Sequence, residues 1–543
     1  MARVTILVPA ATVTVLVAGL AVVGAVPQAP YDLLIANGRL VDGTGAPGRN
    51  ASVAVRDGRI VAIGAVTGAA RTTIDATGLA VAPGFIDVHT HADDLADRPL
   101  APNFVRMGVT TIVAGNCGSS ALSVAEALAR IRETGVAVNF ATLVGHNTVR
   151  SAVMGREARP STIAELNRMK ALVFKAMADG AVGFSTGLQY VPGVYARSNE
   201  IVELARVAAN QGGVYATHMR NEGTKLEEAV AESIRVARLL DMPLQISHLK
   251  VDSPSRWGAS AAALKLIDDA IARGARIGAD QYAYTAGASS LSIRFPAWAL
   301  EGGDTEIRRR LDDPATWARI KAEMRDLLGE RGFDDLAWAT VASYRPDPAL
   351  AGLTMPDVAV RLVGSPSADA QLEAARLLMR GGGATMVYHF MSEDDVVRIM
   401  RHPNVAVASD ASVLDAGAGM PHPRGYGNTA RVLAVYVRER RVLALEDAIR
   451  KMSSLPAAQF GFRDHGVVRV GAAADLVLID AERVRDAATY DRPHAYPAGI
   501  PHVVVNGVVV VRDGEMTGAR PGQILTRQTR TGGSDRTGSP SAR

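Results

Sequence analysis

Phe85-Ile86-Asp87-Val88-His89-Thr90-His91 is the stretch from which the fold of this 543-residue chain can be read outward. A short, nearly continuous apolar run closes on two histidines spaced two apart. Continuous apolar character points to a strand covered on both faces, as in a parallel sheet. Residues two apart on a strand project to the same side, so His89 and His91 can face one ion.

Seven more runs of this kind follow, at Thr110–Ala114, Val138–Val144, Ala181–Phe184, Val214–Thr217, Leu244–Ser247, Arg276–Ala279 and Val405–Ala408. Helical patterns separate them. Thr162-x-x-Glu165 opens one helix, with apolar residues at Ile163, Leu166, Val173 and Met177 and a stop at Gly180. Thr224-x-x-Glu227 is the expected start of another. Both have the form of a capping box. Eight strands alternating with helices predict an α/β fold, a closed (β/α)8 barrel spanning about residues 81–464. The alternative is an open doubly wound sheet, but no Gly-rich dinucleotide fingerprint follows the early strands.

The ends have a different texture. Leu33–Ile35 and Val53–Val55 alternate with Asn37-Gly38, Asp42-Gly43 and Asp57-Gly58. Val467–Val470, Leu476–Ile479 and Val503–Val505 do so with Asn506-Gly507 and Asp513-Gly514. Such pairs tolerate the positive φ of tight turns. Residues 30–80 and 465–519 are therefore expected to form one small β domain built from both chain ends. An insertion at about 285–404 should carry a helix at Pro314–Leu328, capped by Asp313, and a strand at Ala384–Phe390. Residues 520–543, rich in Arg, Thr, Gly and Ser, are expected to be a disordered tail. At the other end, Arg3 precedes an apolar stretch from Val4 to Val26. Residues 1–29 thus resemble a secretory signal peptide, cleaved after Ala25 or Ala29, or else an uncleaved anchor. An exported location, periplasmic or extracellular, is expected, with membrane contact only through an uncleaved leader.

Composition is that of a globular protein, 48% hydrophobic and 21% charged, with a net charge of +4. No long Lys/Arg run marks a nucleic-acid partner. Cys117 stands alone, so no disulfide forms within the chain. That thiol is a core residue, a nucleophile or a metal ligand.

The candidate ligands all fall at strand ends. His89 and His91 close the first strand, Cys117 follows the second, His218 closes the fifth, His248 the sixth and Asp410 the eighth. In a barrel these ends converge on one face. Singly, each has an ordinary role: a hydrogen-bonded histidine, a packed thiol, a helix cap. Together they point to a metal, and imidazole with thiolate and carboxylate suits Zn²⁺. His146 ends the third strand and either lines the site or is structural; His389 and His402 have no supporting constellation and are expected to be structural.

Gly84 to His91 resembles the opening signature of the amidohydrolase superfamily, whose pattern is His-x-His on the first strand, His on the fifth and sixth and Asp on the eighth. Many members place a bridging carboxylated lysine on the fourth strand. Here that strand, Ala181 to Gly187, has none, and the Cys117 thiolate can supply the anion instead. Six blocks narrow the resemblance: Gly115-Asn116-Cys117-Gly118, Ser185 to Tyr190, Thr217 to Glu222, Ile246 to Lys250, Tyr282 to Gly287 and His422-Pro423-Arg424. Across roughly residues 31–515 they resemble the N-acyl-D-amino-acid deacylases, or D-aminoacylases.

That resemblance implies zinc-dependent hydrolysis of the amide of a small N-acyl-D-amino acid. It implies that Cys117, His218 and His248 hold a tight zinc, while His89 and His91 border a second, weaker position. Asp410 would act as base and then acid. Lys250, Tyr282 and Arg424 would bind the substrate carboxylate. Ser289 would replace a hydroxyl that the family often places directly after the glycine corresponding to Gly287. The alternative is a cyclic-amide hydrolase of the hydantoinase or dihydroorotase kind, against which the missing lysine and the Cys117 block both count.

Overall fold

Eight short parallel strands close on themselves in the computed structural model, which describes residue 2 and residues 30–527. The expected leader, apart from residue 2, lies outside the described residues. The first strand, Phe85–Asp87, pairs with Val109–Ala114, and that with Asn139–Thr142. Val144–Gly145 continues the third strand and pairs with the fourth, Gly183–Gly187. Val214–His218, Leu244–Ile246, Ile277–Gln281 and Val405–Val407 follow in parallel register. A bridge between Thr90 and Ala411 closes the ring, with hydrogen bonds from His91 N to the Ala411 carbonyl (2.8 Å) and from Asp410 N to the His89 carbonyl (2.9 Å). All eight apolar runs thus become barrel strands. The interior is filled by Ile86, Val113, Leu143, Val182 and Val214, and its N-terminal end by Phe460 and Phe462.

The helices between the strands form for local reasons. Thr162 and Glu165 make a reciprocal capping box on Ile163–Ala178. The second expected box does not form. Asn221 Oδ1 accepts from the backbone N–H groups of Gly223 and Lys225, and the helix begins only at Leu226, without a side-chain cap. The local asparagine turn outcompetes the threonine.

Both chain ends share one nine-stranded sheet, in which Ala80–Pro83 pairs with Leu476–Ile479. The hairpin turns take the positive φ that their residues allow: Asp57 51°, Asn506 47° and Asp513 51°, each followed by a left-handed glycine. One expected strand is absent. Val467–Val470 runs through turns between Gly466 and Gly471, both at positive φ, and leaves Val470 exposed.

The insertion is a subdomain with its own core. The helix over Pro314–Arg331 starts on Asp313, whose side chain accepts from Thr316 N at 2.7 Å. The strand Thr385–His389 is flanked by Ala286–Ser290 and Ala339–Ser343 in an antiparallel sheet. Three more helices, Asp304–Asp312, Met355–Val363 and Ala368–Arg380, surround it.

The start of the expected tail is ordered, and residues 528–543 lie outside the described residues. Residues 522–525 run beside the third barrel strand, with Leu525 N donating to the Phe140 carbonyl and Phe140 N to that of Gln523, both at 2.8 Å. Leu525 joins Phe460 and Phe462 at the floor of the barrel. Burying one leucine is worth about 1.5–3 kcal/mol, enough to order a short segment that polar composition alone would leave free.

Candidate active site

The strand ends bring six expected ligands together. His218 Nδ1 lies 2.9 Å from His248 Nε2, and Cys117 Sγ lies 3.8 Å and 3.5 Å from those two atoms. A tetrahedral zinc holds two nitrogens about 3.3 Å apart and a nitrogen and sulfur about 3.6 Å apart, from its usual bond lengths. The two N–S distances bracket the second value and the N–N distance falls about 0.4 Å short of the first, so a small shift of the rings lets the three donors fit the ion. His89, His91 and Asp410 form a second group: His91 Nε2 is 3.0 Å and His89 Nε2 3.5 Å from Asp410 Oδ1. Cys117 Sγ is also 3.3 Å from His89 Nε2, which puts the thiol between the two groups.

The backbone is bent to reach this arrangement. Cys117, His248 and Asp410 have φ of 51°, 33° and 51°, the left-handed region that non-glycine residues seldom enter. Such strain collects where function requires a fixed geometry. Gly187 lets the Cys117 loop come close, since a Cβ there would lie 2.0 Å from the Cys117 carbonyl oxygen.

Carboxylates outside the expected set orient the rings. Asp280 Oδ1 accepts from His248 N at 2.7 Å and lies 3.2 Å from His89 Nδ1. Glu222 Oε1 lies 2.9 Å from His248 Nδ1, and its Oε2 accepts from Lys250 Nζ at 2.7 Å. These contacts place a carboxylate beside the Nδ1 of each ring, with Nε2 of the same ring facing the centre. Glu222 belongs to a block already noticed for its resemblance, but Asp280 sits one residue beyond the apolar run that marks its strand.

Charge is strongly coupled here. Burial opposes the Cys117 thiolate, yet His89, His248 and His218 override it and hold the thiol well below its ordinary range. The thiolate is the form that binds a metal. Burial likewise opposes ionisation of Asp410, but Arg424, His248 and His89 hold its carboxyl well below the usual carboxylate range. Arg424 Nη1 is 2.9 Å from Asp410 Oδ2, with its guanidinium 4.5 Å from the Tyr282 ring centroid.

Two cavities meet at this centre. The outer one, about 790 Å³, opens past His91, Cys117, Asp410 and Arg424. The inner one, about 30 Å³, reaches Lys250, Tyr282 and Arg294. Ser289 lines both, its hydroxyl 3.2 Å from that of Tyr190, whose ring packs 4.6 Å from His218. All four expected substrate contacts therefore border the centre. The Tyr282 hydroxyl and Arg294 Nε are buried without a hydrogen-bond partner.

Arg294 carried no signal in the sequence. It is 8% exposed, stacks against Tyr388 and Trp338 at 4.4 and 4.9 Å, and has no carboxylate partner among the described residues. His146, His389 and His402 line neither cavity. His146 is fully buried with Nε2 2.9 Å from Glu200, and His402 Nε2 is 2.9 Å from Asp268. His389 packs on Tyr490, outside both cavities.

Comparison with known proteins agrees with this geometry. The profile of the Amidohydrolase family matches residues 72–313 and 348–511. A D-aminoacylase of Alcaligenes xylosoxydans xylosoxydans is 37% identical over 524 residues, covering 92% of this chain and 98% of the relative. An N-acyl-D-glutamate deacylase of the same organism is 37% identical over 531 residues, covering 93% and 99%. The crystal structure of N-acyl-D-glutamate deacylase from Bordetella bronchiseptica, complexed with zinc and a phosphonate inhibitor mimicking the tetrahedral intermediate, superposes with a TM-score of 0.78 at 35% identity, covering 92% of this chain and all of that one. The chain belongs to the amidohydrolase family.

Proposed function

We propose that this protein is a zinc-dependent deacylase of N-acyl-D-amino acids, giving a carboxylate and a free D-amino acid, with a preference for acidic side chains. The observation that carries this is the convergence of Cys117, His218 and His248 at zinc spacing, beside the Asp410–Arg424 pair. Those three would hold the tight zinc, and His89 and His91 would border a weaker second position, with Cys117 between. When bound, zinc lowers the pKa of water and polarises the amide carbonyl.

The chain's own groups supply the rest. Asp410 is ionised and buried, so its carboxylate can take the proton of the attacking water and pass it to the departing nitrogen. Arg424, Lys250 and the Tyr282 hydroxyl present donors to the substrate α-carboxylate. Arg294 adds a buried guanidinium with an unpartnered Nε, beside an Asp252 that is paired with Arg331, which supports a second carboxylate, on the substrate side chain. The D preference is supported by the relatives. A cyclic amide fits less well, because Gly183–Gly187 on the fourth strand has no lysine.

The test is amine release from N-acetyl-D-amino acids, run beside hydantoin and dihydroorotate, before and after metal is stripped and zinc returned. Turnover of the linear amides that vanishes on stripping and returns with zinc is expected. Turnover of the cyclic amides alone would overturn the proposal.

A further inference from the structure

A further large cavity lies at the end of the barrel opposite the candidate metal centre. Its volume is about 640 Å³, within the range of small-molecule sites. Gly213, Pro243 and Arg276 border it, and each immediately precedes a barrel strand, the fifth, sixth and seventh. Another wall is made by Ala457, Gly461 and Phe462, around the end of the helix Ser454–Phe460. A smaller cavity of about 200 Å³ adjoins it, and Arg276 and Arg527 border both.

Charge on this lining is one-sided. Arg276, Arg463 and Arg527 border the larger cavity, and the only carboxylate there among the described residues belongs to Asp241. Asp241 is fully exposed and 3.9 Å from Arg276, a contact too loose and too wet to neutralise it. His465 borders the cavity as well, with Nδ1 2.8 Å from Asp475 Oδ2. That carboxylate is otherwise taken up by Asn139 Nδ2 and Asn506 N, away from the arginines.

Arg463 and Arg527 form no ion pair among the described residues, and Nη1 of Arg527 is buried without a hydrogen-bond partner. The Arg527 side chain packs on Gly461, where a Cβ would come within 3.3 Å of its Cγ and 3.7 Å of its Cζ. Burial and the charge of Arg276 both push the Arg527 guanidinium below its ordinary range. Like charges are thus gathered beside an unmet buried donor, and an anion between them would relieve both costs.

The kind of anion follows from the charge. A single guanidinium fork already matches one carboxylate, whereas several unpaired arginines suit a dianion with three acceptor oxygens, which is a phosphate. The apolar lining of Met242, Phe462 and Val467 suits a hydrocarbon or aromatic body attached to it. We propose that this cavity is a second binding site, for a small phosphate monoester with an apolar body, whose phosphate is held by Arg276, Arg463 and Arg527.

The full chain, loaded with zinc, is titrated with α-naphthyl phosphate, α-naphthoate and α-naphthol, and binding is followed by naphthyl fluorescence. The phosphate should bind at least about tenfold more tightly than the carboxylate, and the alcohol weakest of the three. Arg527→Gln should weaken the phosphate at least about tenfold. Arg463→Gln, at an exposed position, should weaken it about threefold and keep the wild-type Tm. Phosphate held by the zinc instead would be indifferent to both substitutions, because neither arginine borders the cavities at the candidate metal centre. If Arg527→Gln does not fold, Arg463→Gln alone decides. No binding to the full chain, a carboxylate that matches the phosphate, or phosphate binding that the deciding variant leaves unchanged would overturn the site.

Discussion

The Asp280 carboxylate lies 2.7 Å from the backbone nitrogen of His248 and 3.2 Å from Nδ1 of His89, so one side chain on the seventh barrel strand ties together a residue from each candidate metal position. Its other oxygen accepts from Gln245 Nε2 at 2.6 Å, which leaves it no freedom to turn. Asp280→Asn keeps the shape and removes the charge. Zinc affinity, measured by chelator competition, should fall about 10- to 100-fold, as for other groups that orient a ligand ring. Unchanged affinity would show that Asp280 only packs.

Asp410 and Arg424 form a buried pair, with Nη1 to Oδ2 at 2.9 Å. Asp410→Asn should keep the fold and most of the metal while kcat falls by at least about a hundredfold, the usual worth of a positioned proton carrier. Arg424→Ala should raise KM for substrates with a free α-carboxylate more than for the corresponding amides. Near-normal turnover in the first variant, or equal effects on acid and amide in the second, would remove the role assigned here.

Arg294 is buried and forms no ion pair among the described residues. Arg294→Met should lower kcat/KM on N-acetyl-D-glutamate about 10- to 100-fold, the worth of a charge-assisted hydrogen bond, and leave N-acetyl-D-methionine the better substrate. If the two substrates fall in parallel, Arg294 does not read the side chain.

Glu200, which lines neither cavity, gives a pH prediction outside the candidate centre. Burial pushes its carboxyl up, but the hydrogen bond and charge of His146, with those of Arg150, hold it at about 2. A depressed carboxylate stabilises the folded state fully above its unfolded value near 4.5, and that contribution disappears as pH falls toward about 2. Glu200→Gln leaves the fully buried Arg150 unpaired, a loss of about 3–5 kcal/mol near neutrality. The Tm difference between wild type and variant should be largest at pH 6 and shrink between pH 4.5 and 2.5. A difference that stays constant over that range would contradict the assignment.

What the sequence made legible follows from where each signal resides. The barrel strands announce themselves because both faces are buried, and the ligand set because each residue ends such a strand. Asp280 ends one as well, but only ring closure shows that it faces two histidines. Arg294 reads as a surface residue until Trp338, Tyr388 and Phe390, the last two some 95 positions later in the chain, enclose it. The same limit applies to Leu525, whose polar neighbours conceal a residue that closes the barrel floor, and to Thr224, which caps nothing because the turn around Asn221 delays the helix to Leu226. Strictly local patterns hold where nothing nearby competes with them, as at Thr162 and Asp313.

The central claim is that this centre hydrolyses the amide of an N-acyl-D-amino acid. The most direct measurement is amine release by the zinc-loaded protein from N-acetyl-D-glutamate and N-acetyl-L-glutamate in parallel. The account predicts turnover of the D enantiomer, with a kcat/KM at least about a hundredfold above that of the L enantiomer, a ratio within reach of a site that positions its substrate by hydrogen bonds. Equal turnover of both, a preference for the L enantiomer, or no amine from either would contradict it.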